Sequence, residues 1–191
     1  MTHLTIRSIH ARPVIVPLAR SVRTASGSID VSPLILLDVI TDEGITGSAY
    51  LFAYTPMMLK PLMALVEEVK LNLIGQPLIP AERMQQLEGH FRLLGIHGLL
   101  GMLISTLDMA YWDALGKATN VPVVQLLGGA PKPLWAYDSY GMVDPAKDAD
   151  ALKHLLAQGF LAIKIKLAML MPRKTLMWCV PCAPSLALML R

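Results

Sequence analysis

The 191-residue sequence predicts an α+β fold, a three-stranded antiparallel meander with helices followed by one βαβ unit. Three observations carry this prediction. Apolar residues alternate with period two up to Phe52. They recur with period 3.6 from Thr55 to Ala118. After a proline-containing break, a strand, a helix and a second strand succeed one another as far as Lys166.

Residues 4–16, LTIRSIHARPVIV, mix β-branched and polar residues in rough alternation and predict the first strand, with Pro13 tolerated at an edge or a bend. Between Pro17 and Pro33, isolated Val22 and Ile29 stand among Ser21, Thr24, Ser26, Gly27 and Ser28, which reads as a long mobile surface loop. Residues 34–41 and 45–52 flank Asp42-Glu43-Gly44, whose glycine suits a tight hairpin turn.

The period then changes. Thr55 suits a cap and Pro56 the first helical position. Leu59, Leu62, Leu65, Val66, Val69 and Leu73 line one face of a helix that Gly75 ends. A second helix is expected from about Pro80 to Leu94. A third, from about Gly98 to Ala118, is apolar over most of its circumference and belongs at the centre of its domain. Asp108 and Asp113 stand five residues apart on it, about 140° from coincident, so they suit capping or ion-pair roles better than a shared metal.

Residues 123–129, VVQLLGG, make a short apolar turn closed by glycines, and Pro131 and Pro133 mark a domain boundary. Beyond it, 134–140 reads as a strand, 144–158 as a helix opened by Asp144 and Pro145, and 160–166 as a second strand. This spacing is that of a βαβ unit with parallel strands. On the last strand Leu161, Ile163 and Ile165 point one way and Ala162, Lys164 and Lys166 the other. Two ammonium groups on one face disfavour each other's protonation, which suits one of them to act as a base. The C-terminal end of a parallel strand is where (β/α)₈ barrels build active sites.

Composition narrows the function. A net charge of +3 without a Lys/Arg run, and without aromatic interleaving, offers no footprint for nucleic acid or an anionic membrane. No apolar stretch is long enough to span a bilayer, and Met1-Thr2-His3-Leu4 opens no signal peptide, so a soluble, cytoplasmic protein is expected. Both cysteines, Cys179 and Cys182, fall in the last thirteen residues, which leaves the main body without a disulfide framework.

Read together, the meander, the helices, the segment Asp108-Met109-Ala110-Tyr111-Trp112-Asp113-Ala114-Leu115-Gly116-Lys117, the turn from Pro122 to Gly129 and the Lys-x-Lys at 164–166 resemble the mandelate racemase and muconate lactonizing enzyme branch of the enolase superfamily. The resemblance runs from residue 1 to about 167. It is strongest toward the mandelate racemase group, through Leu51-Phe52-Ala53-Tyr54-Thr55-Pro56 and Ala136-Tyr137-Asp138-Ser139.

The resemblance implies a capping domain over residues 1–130, the first βαβ unit of an incomplete (β/α) barrel over 131–166, and an aberrant tail over 167–191. It implies that Lys166 removes the proton next to a substrate carboxylate and that Lys164 lies against that carboxylate. Ser139 would hydrogen-bond the carboxylate, and Val22, Ile29 and Tyr54 would form the covering flap and wall. A wall holding Val22 and Ile29 fits an aromatic or otherwise apolar substrate better than a sugar acid.

The chemistry also requires a stabilised enediolate, because a proton α to a carboxylate is too weakly acidic for lysine alone. The family takes carboxylate ligands for Mg²⁺ from later barrel strands, which this chain lacks. The complete enzyme is therefore expected to use Mg²⁺ on a small-molecule carboxylate as a racemase or other isomerase. Sugar-acid dehydration and cycloisomerisation are the alternatives within the superfamily. This chain is expected to bind no metal and to be inactive, with an unpaired barrel edge that favours a homo-oligomer or aggregation.

The tail breaks from the composition before it: residues 167–191 contain no acidic residue, four of the chain's twelve methionines and both cysteines. One choice of codons for 167–180, with a single G restored after the Leu167 codon, reads Leu-Gly-Tyr-Ala-Asp-Ala-Glu-Glu-Asp-Phe, a glycine loop and an acidic helix start. A one-nucleotide frameshift is the expectation. The lone Cys179-Val180-Pro181-Cys182 has no second ligand pair and opens no thioredoxin-like helix, so it reads as chance.

Overall fold

Main-chain pairing organises the first part of the chain. The computed structural model describes residues 3–24, 27–168 and 175–181, with side chains as far as residue 166 except at 145 and 146. Strands β1 (Ile6–Thr24), β2 (Gly27–Thr41) and β3 (Thr46–Phe52) form an antiparallel sheet in the order β1-β2-β3. β2 and β3 are registered from Leu34 opposite Phe52 to Ile40 opposite Thr46. Gly44, at φ +80°, takes the left-handed position of the turn, and the Thr41 hydroxyl oxygen accepts the Ile45 N–H at 3.1 Å.

The expected loop at 17–33 is instead the outer part of β1 and β2. Ser and Thr carry no strong objection to extended backbone, and a two-stranded ladder satisfies the main-chain groups whatever the side chains are. Gly27, at φ +130°, supplies the one conformation that the reversal needs.

The helices follow the predicted faces, with shifted ends. Pro56–Met58 is a 3₁₀ turn and α1 runs Leu59–Lys70, so the last predicted turn, through Gly75, is not α-helical. Thr55 occupies the cap position without a side-chain capping bond. Helix α2 spans Pro80–His90, and Leu93 and Leu94 beyond it are exposed. Helix α3 spans Gly98–Thr119 and ends on Asn120 in the left-handed conformation. Its Leu103, Ile104, Leu107, Ala110, Tyr111 and Ala114 are buried with Ile6, Leu37, Val39 and Val66, making it the core helix that the sequence predicts.

The contact between β3 and α3 turns on Gly47, where an added Cβ would lie 2.0 Å from the Ala110 carbonyl oxygen and 2.8 Å from the Ala114 Cβ. Only a residue without a side chain allows that approach. At the rim of this contact, the Asp113 carboxylate accepts the Ser48 N–H at 2.8 Å and pairs with Lys117 at 2.6 Å, the ion-pair role expected of it. Burial pushes the Asp108 carboxyl up, and a hydrogen bond from Trp112 partly offsets it.

After the short helix α4 (Val123–Leu126) come β4 (Tyr137–Met142), α5 (Pro145–Ala157) and β5 (Ala162–Ala168). β4 and β5 are parallel, as the βαβ reading requires. β4 begins three residues later than expected because Leu134, Trp135 and Ala136 are exposed and outside the strand pairing. Tyr140, Ile163 and Ile165 share a small core with Leu152 and Leu155 of α5. Leu161, expected on that apolar face, precedes the strand and is 59% exposed.

β5 is not a free edge. Residues 175–181 form β6, which pairs antiparallel with it from Ala162 opposite Pro181 to Ala168 opposite Thr175. β5 thus has a strand partner on both sides, and among the described residues β4 and β6 are the edges of this sheet. The CxxC reading lies outside the described side chains.

By backbone proximity the chain divides into two compact units, Met1–Pro17 with Ser32–Pro131, and Leu18–Val31 with Lys132–Arg191. The outer hairpin therefore belongs with the βαβ unit.

Candidate functional site

The two faces of β4 and β5 are chemically distinct because strand side chains alternate. One face carries the buried Tyr140, Ile163 and Ile165. The other carries Ser139, Lys164 and Lys166, with the two lysines half-buried and Ser139 exposed. Ser139 is the registered neighbour of Lys164, and Met142 that of Lys166. The register slips between Ser139 and Gly141, so β4 bulges where the polar face begins. Three residues singled out from the sequence are thus brought together on one face of the parallel strands, and β5 continues to Ala168 rather than ending at Lys166 as expected.

Tyr137 joins them. The Lys164 Nζ lies 5.6 Å from the centre of the Tyr137 ring, over its face, in cation–π geometry. Its position two residues before Ser139 on the same strand face was the available signal.

Val22 and Ile29 sit on the outer hairpin, both half-buried. Val22 reaches β4 directly: a Cβ built on Gly141 would lie 3.2 Å from its Cγ1 and 2.9 Å from the Arg23 carbonyl oxygen. Gly141, at φ +92°, is therefore required both by its backbone conformation and by the chain lying against it. Tyr54 belongs to the first unit; it is 69% exposed, at φ +60°, with its ring 4.6 Å from that of Phe52.

Charged residues beside this site were not singled out from the sequence. The Arg20 guanidinium donates to Asp138 at 2.8 Å and stacks 4.2 Å from the centre of the Tyr140 ring. Arg23 donates to Asp148, which also accepts the Tyr140 hydroxyl at 3.2 Å and the Asp144 N–H at 2.7 Å. Burial works against the Asp148 carboxylate, yet the Asp144 N–H, Arg23 and the Tyr140 hydroxyl together hold it below the usual range. Burial, reinforced by the Asp148 charge, pushes the Tyr140 hydroxyl up. Two arginines in a stretch otherwise rich in Ser and Thr were the signal.

Among the described residues, no group of three His, Cys, Asp or Glu side chains could hold a metal ion. The residues present do not form a magnesium site. What they offer is a pair of lysines, a hydroxyl and an aromatic face, a set suited to binding a carboxylate through an ammonium and to taking a neighbouring proton through a lysine in its neutral amine form.

Comparison with known proteins shows the family of the chain. A solved enolase from Bradyrhizobium, complexed with magnesium and mandelic acid, is 50% identical and superposes with a TM-score of 0.81, covering 86% of this chain and 46% of that one. An arabinonate dehydratase of Saccharolobus solfataricus is 25% identical over 147 residues, 70% of this chain and 37% of that protein. A D-galactonate dehydratase of Klebsiella pneumoniae is 33% identical over 135 residues, 68% of this chain and 34% of its own length. The chain spans about a third of the length of these curated relatives and just under half of the solved enolase. Residues 6–128 match the profile of the mandelate racemase / muconate lactonizing enzyme N-terminal domain, and the chain belongs to that family within the enolase superfamily.

Proposed function

We propose that this chain is the N-terminal part of a mandelate racemase-like enzyme whose complete form removes the α-proton of a 2-hydroxy acid. The observation that carries the proposal is the pairing of Ser139 with Lys164, two residues before Lys166, on one face of the parallel strands β4 and β5. In this reading Ser139 donates to the substrate carboxylate and Lys164 pairs with it. Lys166 takes the α-proton onto its Nζ, and Val22, Ile29 and Tyr54 provide the covering wall. The 50% identity to a structure that holds mandelic acid supports an apolar hydroxy acid. Mg²⁺ would supply enediolate stabilisation in the complete enzyme, and its ligands lie outside the described residues.

Functionally, residues 1–130 act as the capping domain, 131–166 as the first βαβ unit of the barrel, and 167–191 as a tail read out of frame. DNA downstream of codon 166 that encodes acidic barrel strands in another frame would support this division; their absence from every frame would sink it.

The deciding assay is deuterium incorporation at Cα of mandelate in D₂O with Mg²⁺. The complete gene product should exchange the α-proton, and Lys166→Ala should slow exchange by roughly 10² to 10⁴-fold. The isolated 191-residue chain should give none. Undiminished exchange by Lys166→Ala would refute the role of Lys166, and sustained turnover by the isolated chain would refute its incompleteness. The dehydratase relatives favour a second reading, in which the complete protein converts a sugar acid such as galactonate to a keto acid. Keto-acid formation from galactonate without exchange of mandelate would establish it.

A further inference from the structure

We infer that Arg20 and Arg23 are positioning residues that latch the outer hairpin onto β4 and α5, so that Val22 is seated against Gly141 of β4 before any substrate arrives. The inference rests on the reading of Val22 as part of the substrate wall. Each arginine reaches a carboxylate more than a hundred residues away, Arg20 at Asp138 and Arg23 at Asp148, and both partners belong to the βαβ unit. The two contacts interlock, because Tyr140 stacks under Arg20 and donates its hydroxyl to Asp148, the acceptor of Arg23.

Asp148 is itself fixed by the Asp144 N–H, so the arginine meets an acceptor that is already oriented. The guanidinium group suits this role better than an ammonium would, since it stacks on a ring and directs several N–H donors at once. Between the two arginines lies Val22, packed against Gly141, and the residue after Gly141 is the registered neighbour of Lys166. Opening the latch would therefore release Val22 from the C-terminal half of β4.

Amide hydrogen exchange on the substrate-free 191-residue chain tests the latch directly. In Arg20→Gln/Arg23→Gln, amides of residues 18–31 should exchange about tenfold faster, while those of 34–52 keep their rates. Unchanged exchange at 18–31 would overturn the inference, and so would equal acceleration in both regions, which marks a general loss of stability. Should the double variant not fold, Asp138→Ala removes the Arg20 acceptor altogether. Faster exchange confined to 18–31 would again support the latch, and no change would overturn it.

The charge swap Arg20→Asp/Asp138→Arg should restore protection that either single change removes, which a merely space-filling role would not give. Because no substrate is present, failure here is failure of the latch alone. A Val22→Ala variant of the complete enzyme with unaltered KM for mandelate would instead refute the wall reading.

Discussion

The first unit is held where a helix meets a sheet through an absent side chain, the second where a hairpin meets a strand through charge. At Gly47 the approach of α3 leaves no space for a Cβ: the neighbours there are Ala110 and Ala114, in a core that also holds Leu103, Leu107 and Tyr111. In the second unit Arg20, Arg23, Asp138 and Asp148 do the joining, and the apolar core is five side chains. Close packing is unforgiving of added volume, whereas ion pairs near the surface are weak singly and respond to pH and salt. The rigid contact thus lies in the cap, and the adjustable one beside the candidate site.

The largest expected effect comes from Gly47→Ala. With its Cβ 2.0 Å from the Ala110 carbonyl oxygen, the helix must move off the sheet, at a cost of about 3 kcal/mol. The midpoint of urea unfolding measures it; a midpoint equal to that of wild type would show that the contact is not tight.

Gly141→Ala should cost less, about 2 kcal/mol, from a left-handed φ together with a Cβ 2.9 Å from the Arg23 carbonyl oxygen. Its signature is regional: faster amide exchange at 18–31 and 137–142, with 34–52 unchanged. Loss of protection across 34–52 would erase the distinction between the two units.

Acid should have the smallest effect, within about 1 kcal/mol for so accessible a pair. Asp148 has a folded pKa below its ordinary value, so its stabilising contribution is fully present above about pH 4 and is lost as pH falls through the folded value. Arg20 and Arg23 from the hairpin, Asp138 and Tyr140 from β4, and Asp144 and Lys147 around the start of α5 face or flank it; Tyr140, whose hydroxyl is pushed up, stays neutral through this range. Exchange at 18–31 should rise below pH 4 before that of 34–52 does. Simultaneous loss in both regions would show that the hairpin has no separate acid-sensitive tie.

Much of the architecture was legible in local pattern. Ile35, Leu37, Val39 and Thr41 alternate into the core as period two requires, and the apolar circumference of α3 announced a central helix. Lys-x-Lys on a strand after a βα unit marked the candidate site, because the parity of strand side chains holds wherever the strand lies. The hairpin of 17–33 was illegible for the converse reason. Its ladder is made of main-chain groups that every residue carries, so a polar sequence can be a strand when a partner lies beside it.

The sequence by itself determined the strand and helix periods, the turn glycine Gly44, and the sharing of one strand face by Lys164 and Lys166. Only the tertiary structure decided that Ser139 pairs with Lys164, that Tyr137 lies beneath the ammonium, that β6 covers β5, and that Arg20 and Arg23 find carboxylates in the βαβ unit. Periods and turns are set by steric limits within a few residues. Pairings across a hundred residues depend on which surfaces the folded backbone brings into reach, and local pattern carries no record of that.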